Sequence, residues 1–211
     1  MVRLVRALCG VALALALTTP ARAHHALGGA LPADFGQGFL SGLAHPVINF
    51  DHFAFVVAVG VLTAVGQASK FLPVWFVGGT IVGCALAANG ITLPFAGWLA
   101  HLALLILGAA LAFGHRHLRV LDIAAFALAG IFHGGVYADA IIGTAHASLN
   151  GYLIGFAIIQ SVVATGAMMA VYMLWAGDRL YANARVVGGI VAGVGLTVLA
   201  QSGAAALFPL L

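Results

Sequence analysis

The feature that most constrains this chain is a series of apolar stretches, each long enough to cross a bilayer and almost free of charge. They run from about Leu43 to Val65, Phe71 to Ala88, Phe95 to Phe113, Val120 to Gly143, Leu149 to Ala176 and Val186 to Leu207. Hydrocarbon offers no water to backbone N–H and C=O groups, so such segments satisfy them internally, as helices. The expected fold is all-α, a polytopic membrane helix bundle of about six transmembrane helices. Of the 211 residues 64% are hydrophobic and only 6% charged, against about a quarter charged in soluble domains. That excludes a separate soluble catalytic module. The five acids are all aspartate and face eight Lys and Arg, so the pI of 9.2 reflects a shortage of acids rather than a basic surface, and no nucleic-acid partner is expected. No GxxxxGK[ST] loop is present, which removes that route to ATP.

Residues 1–23 read as a signal peptide, with Arg3 and Arg6 as the charged region, Leu8 to Leu17 as the apolar region and Ala21-Arg22-Ala23 as the cleavage site. About ten apolar residues are too few to span ~30 Å at ~1.5 Å per residue. The expected division is therefore a signal over 1–23 and one transmembrane domain over 24–211. Cleavage removes Cys9 and leaves Cys84, so no disulfide framework exists. With His24 outside, alternation puts Lys70, Arg116, Arg119, Arg179 and Arg185 on the cytoplasmic side, in keeping with the positive-inside rule. The expected location is the bacterial inner membrane, with the mature N-terminus periplasmic and the C-terminus also outside. Gly79 with Gly83, Gly151 with Gly155, and Gly189 with Gly193 are small-xxx-small pairs suited to helix packing. Three spans followed by three more would give the halves opposite topology, as in inverted-repeat transporters.

Ionisable groups in hydrocarbon are costly and usually functional. Here they gather in two places: His45-Pro46-Val47-Ile48-Asn49-Phe50-Asp51-His52 at the start of the first span, and Phe132-His133-Gly134-Gly135-Val136-Tyr137-Ala138-Asp139 in the fourth. Taken from the outer helix ends, His52 lies about 12–14 Å deep and His133 about 15 Å, with His45 and Asp139 near the mouth. On a continuous helix His45 and His52 stand ~10 Å apart, too far for one ion. Pro46 offers a remedy, because it pushes the preceding residue toward an extended conformation and lets His45 fold back. His133 and Tyr137 share one face, and Gly134-Gly135 weakens the helix beside them.

Imidazoles with a few carboxylates and almost no thiolate suit Ni²⁺, Co²⁺ or Zn²⁺ better than Ca²⁺, Mg²⁺ or Cu⁺. The candidate metal residues are His45, Asp51, His52, His133 and Asp139, with Asn49 and Tyr137 as supporting groups. His101 has no acidic neighbour in sequence and reads equally well as a packing residue. His146 falls in a loop, and His24 and His25 follow the cleavage site, where they would collect metal only weakly. His115 and His117 belong to an interfacial loop.

These motifs resemble the HupE/UreJ family of nickel and cobalt permeases. The first matches its HX5DH signature at His45, Asp51 and His52; the second, from Phe132-His133-Gly134 through Tyr137, matches its FHG motif. Asp139 stands where the family's following acid is usually glutamate. Related proteins carry further glutamates in the third span and after the second motif, and His101 and His146 lie in those regions. The resemblance implies a permease rather than an enzyme, with Ni²⁺ first and Co²⁺ second as cargo, no prosthetic group, and a His/Asp pathway from periplasm to cytoplasm. Its partners are the metal ion and membrane lipid, with a homo-oligomer left open. Two rivals remain at this level. An intramembrane zinc hydrolase needs three protein ligands and an open position, but no HExxH motif is present. A bis-histidine haem carrier would clamp haem between His52 and His133, beside an unhelpful aspartate.

Overall fold

A computed structural model describes residues 30–66, 70–114, 119–175, 177 and 179–207, and over these the chain is helical, without strands. The helices are α1 (Phe35–Ile48), α2 (Phe50–Val65), α3 (Leu72–Ala88), α4 (Ala96–Phe113), α5 (Arg119–Tyr137), α6 (His146–Leu174) and α7 (Arg179–Leu207), with a 3-10 turn at Ala138–Ala140. The proposed signal segment, with His24 and His25, lies outside the described residues.

Seven helices cover the six apolar stretches expected, the first stretch being divided between α1 and α2, and they are not six equal spans. Among the described residues four are long and apolar enough to cross a membrane: Ala96–Phe113, Val120–Ala140, His146–Leu174 and Arg179–Leu207. The bent pair α1 and α2 passes that test only when taken together, as a broken span or a re-entrant loop, and α3, with 17 residues, is a shorter apolar helix. The first stretch also begins earlier than its hydropathy suggested. Asp34 caps α1, its Oδ1 accepting from the Gln37 N–H at 2.8 Å, while Gln37 Oε1 accepts from the Ala33 N–H at 3.0 Å. This reciprocal arrangement satisfies donors that a helix start otherwise leaves open.

The expectation of one helix from Leu43 to Val65 is corrected here, since α1 and α2 meet at 80°. The departure from helix is also displaced: Pro46 lies inside α1, and the extended residue is Asn49, at φ −87° and ψ 107°. Proline has no N–H for the carbonyl four residues back, and its ring crowds that carbonyl, so the last turn of α1 is weakened without being broken at His45.

Helices pack chiefly in three pairs: α1 with α6, α3 with α5, and α4 with α7. Numbered by apolar stretch, with α1 and α2 together as the first, the first meets the fifth, the second the fourth, and the third the sixth. Exchanging the two halves converts the first pair into the second and returns the third to itself, so the contact pattern is symmetric between the halves. The first two pairs are close because glycines face carbonyls. A Cβ at Gly42 would strike the Tyr152 oxygen, and one at Gly134 the Thr80 oxygen. Gly79, Gly83, Gly151 and Gly155 pack in this way, as their spacing predicted. Gly189 and Gly193 do not, as nothing lies within 4 Å of a Cβ on either; Gly188 and Gly195, on a different face of α7, approach the backbone of α4 instead.

Two buried clusters result. Phe55, Val59, Phe76 and Leu104 belong to one, and Cys84, Tyr137, Tyr152 and Phe156 to the other. The polar residues of both motifs lie at their junction. Gly42→Ala or Gly134→Ala should each lower the melting temperature of the purified protein by at least about 2–4 °C, the equivalent of about 1 kcal/mol in a chain of this size. Gly189→Ala, by contrast, should leave it unchanged or slightly raised in the same thermal unfolding measurement.

Candidate functional site

The break at Asn49 brings together groups that a straight helix would hold apart. The His45 and His52 rings stack at 5.7 Å between centroids, and the His133 ring of α5 stands 6.1 Å from His52. All three histidines are buried. Tyr137, also buried, presents its ring edge-on among them, at 4.3 Å from His52, 5.3 Å from His45 and 6.1 Å from His133. Phe55 and Phe76 pack against His133 at 4.2 and 5.6 Å, and Tyr152 against His45 at 5.9 Å. The imidazoles therefore sit in an aromatic enclosure that admits little water.

Hydrogen bonds decide which ring atoms are open. His133 Nδ1 donates to the Ala129 carbonyl at 2.9 Å, so the lone pair of the neutral ring is on Nε2. Asn49 Nδ2 donates to His45 Nε2 at 3.2 Å, which occupies that lone pair. His52 Nε2 faces Asp51 Oδ2 at 3.4 Å, while its buried Nδ1 has no hydrogen-bond partner in the structure. A buried polar atom left without a partner costs about 1–3 kcal/mol, and an imidazole nitrogen in that state is an open ligand position. The Tyr137 hydroxyl is likewise buried without a partner, whereas the Tyr152 hydroxyl donates to the Tyr137 carbonyl at 3.1 Å and so closes the end of α5.

Asp51 joins a second helix to this group. Its Oδ2 lies 3.7 Å from His101 Nε2 on α4, and His101 Nδ1 lies 3.1 Å from Ser202 Oγ on α7. His101 is thus no isolated packing histidine. No group of three or more His, Cys, Asp or Glu side chains among the described residues is set to hold one metal ion. A single oxygen, Asp51 Oδ2, faces both His52 Nε2 and His101 Nε2.

The remaining sequence candidates are placed differently. His45 is buried in the ring cluster and not at a mouth. Asp139 is exposed in the 3-10 turn that follows α5, and His146 is the exposed first residue of α6. Tyr152, Phe55, Phe76 and Ser202 escaped the sequence reading, because single aromatic or hydroxyl residues in apolar helices carry no local signal of what they face.

In the comparisons with known proteins, the profile of the family described as HupE / UreJ protein matches residues 11–198. No curated protein and no solved structure was found to match. A multi-pass helical bundle with that match defines the class: the chain belongs to the HupE/UreJ family, which comprises membrane transporters of nickel and cobalt rather than enzymes. The hydrolase and haem readings give way to that membership.

The two tyrosines separate in a simple test of stability. Tyr137→Phe removes a buried hydroxyl that has no partner, so the melting temperature should hold or rise. Tyr152→Phe loses a bond to the Tyr137 carbonyl and should destabilise by roughly 0.5–1.5 kcal/mol, read as a lower melting temperature.

Proposed function

We propose that this protein carries Ni²⁺, with Co²⁺ as a second cargo, from the periplasm to the cytoplasm across a bacterial inner membrane. The ion would be handled by His45, Asp51, His52 and His133, with Asp139 as an exposed carboxylate near the outer ends of the helices. The observation that carries this reading is the convergence of three buried imidazoles from three helices, beside a carboxylate, around the break at Asn49. Nitrogen donors with few oxygens suit a borderline transition ion, and nickel precedes cobalt in intrinsic affinity. The cation is substrate here, not a resident cofactor, and no prosthetic group is invoked.

Donors that come in pairs favour passage over storage. Conduction needs sites strong enough to draw the ion in and weak enough to release it. A closed cage of three or four ligands would hold the ion too long. Two protein donors at a time leave part of the coordination shell to water, and the next donor is one ring away. In this reading Asn49 swings off His45 Nε2 as the ion advances, and the α1–α2 elbow flexes to open the cytoplasmic side. The driving force is the membrane potential, worth ~2.3 kcal/mol per charge per 100 mV and so roughly 4.6 kcal/mol for a divalent ion. That supports accumulation on the order of a thousandfold without ATP. The topology we adopt has a cleaved signal over residues 1–23, six crossings, the Lys and Arg residues of the mature chain inside and both chain ends of the mature protein outside.

Uptake of radiolabelled Ni²⁺ and Co²⁺ by cells expressing the chain, at sub-micromolar metal with Mg²⁺ in excess, tests the reading. The wild type should accumulate both. His52→Ala and Asp51→Ala should each reduce uptake by at least about tenfold, at unchanged abundance in the membrane. Undiminished uptake in both variants would remove the assigned site, and absence of uptake by the wild type would remove the function.

A further inference from the structure

The ring cluster does not use the contact that Asp51 makes with His101 on α4, nor the one that His101 makes with Ser202 on α7. We infer that the Asp51–His101 pair is the first station of the ion path, and that Ser202 on the last helix is the positioning residue that aims His101 at it. The inference rests on the permease reading above.

The argument begins with a single hydrogen. The Ser202 hydroxyl donates to the Val198 carbonyl at 3.0 Å. Having no second hydrogen, it meets His101 Nδ1 at 3.1 Å only as an acceptor. His101 therefore carries a hydrogen on Nδ1, and the other nitrogen, Nε2, points at Asp51 Oδ2 from 3.7 Å. A nitrogen lone pair facing a carboxylate oxygen calls for a positive charge between them, and a proton or a metal ion at Nε2 answers that demand. Bonds of about 2.0–2.2 Å from a transition metal to each donor sum to more than this separation, so one ion can touch both atoms without moving either side chain.

Exposure gives the order of events. The Asp51 and His101 side chains are each 20% exposed, against 8% for His52 and 2% for the His133 residue beyond it. The ion meets the accessible pair first. Because Asp51 Oδ2 is also 3.4 Å from His52 Nε2, it then moves around one oxygen atom from the α4 imidazole to the α2 imidazole. Ser202 contacts neither the ion nor Asp51; it acts by holding the ring. It also lies beyond residue 198, where the family match ends.

Nickel uptake kinetics in cells, at matched membrane abundance, test this with wild type, Ser202→Ala, Ser202→Thr, His101→Ala and the Ser202→Ala/His101→Ala double variant. Ser202→Ala should raise KM for Ni²⁺ roughly threefold to tenfold with the maximal rate within about twofold of wild type, and Ser202→Thr, which keeps the acceptor, should restore KM. His101→Ala should raise KM at least as far, and adding Ser202→Ala to it should change nothing more. A wild-type KM in Ser202→Ala, a loss confined to the maximal rate, or a further rise of KM in the double variant would each overturn the inference while leaving the permease intact. Failure of the wild type to take up nickel would overturn both.

Discussion

Everything in this structure answers to one constraint: in hydrocarbon a backbone N–H or C=O has no water to turn to. Unbroken helices meet it at once, and the places where a helix stops must meet it by other means. At Asn49 the backbone leaves the helix, yet its N–H still reaches the His45 carbonyl at 3.3 Å and its own carbonyl accepts from Phe53 at 2.9 Å. Asn49 itself is buried, while its neighbours Val47, Ile48 and Phe50 are exposed apolar residues. Two residues a full two turns apart in sequence thereby become stacked neighbours, a relation no continuous helix could supply. The ring cluster depends on this one interruption, at a residue that is itself buried and keeps its backbone hydrogen bonds.

The helix pairing determines where that interruption is tolerated. Glycine-to-carbonyl contacts bring α1 against α6 and α3 against α5 at the closest range helices allow, and the aromatic residues fill the wider space left between the pairs. Tyr137, Tyr152, Phe55 and Phe76 surround the imidazoles without ligating groups of their own beyond two phenols. A low-dielectric wall of this kind strengthens the attraction between a cation and Asp51, and it keeps donors that are few from being diluted by water. Spreading the donors over α1, α2, α4 and α5 means that any shift between helix pairs changes the distances among them.

Much of this was legible in the sequence and some was not. The all-α bundle followed from the length and neutrality of the apolar runs, and the convergence of His52 and His133 followed from depth along two helices. Gly79, Gly83, Gly151 and Gly155 were assigned to packing by spacing alone. The location of the bend was misjudged by four residues, because proline's effect on its predecessor was weighed above its tolerance within a last helical turn. Gly189 and Gly193 have the right spacing on the wrong face, a distinction that spacing cannot make. His101 looked unremarkable because its two partners, Asp51 and Ser202, are 50 and 101 residues away, and nothing local reports contacts of that range. Even so, a repeated pattern was available: Gly42-Leu43-Ala44-His45 and Gly130-Ile131-Phe132-His133 set a glycine three residues before a motif histidine in each half, and both glycines press against a carbonyl of the facing helix.

The interleaved pairing also governs how the chain is made. α1 ends at Ile48 and its main partner, α6, begins only at His146, roughly 100 residues later. At a synthesis rate of about 5–20 residues per second, that leaves a wait of roughly 5–20 s. Throughout that interval His45, Asn49, Asp51 and His52 belong to a segment whose shielding helix has not been translated. A polar elbow without its cover is a poor tenant of lipid, and that cover is complete only once α6 has been made. The last third of the nascent chain thus completes a pocket begun by the first.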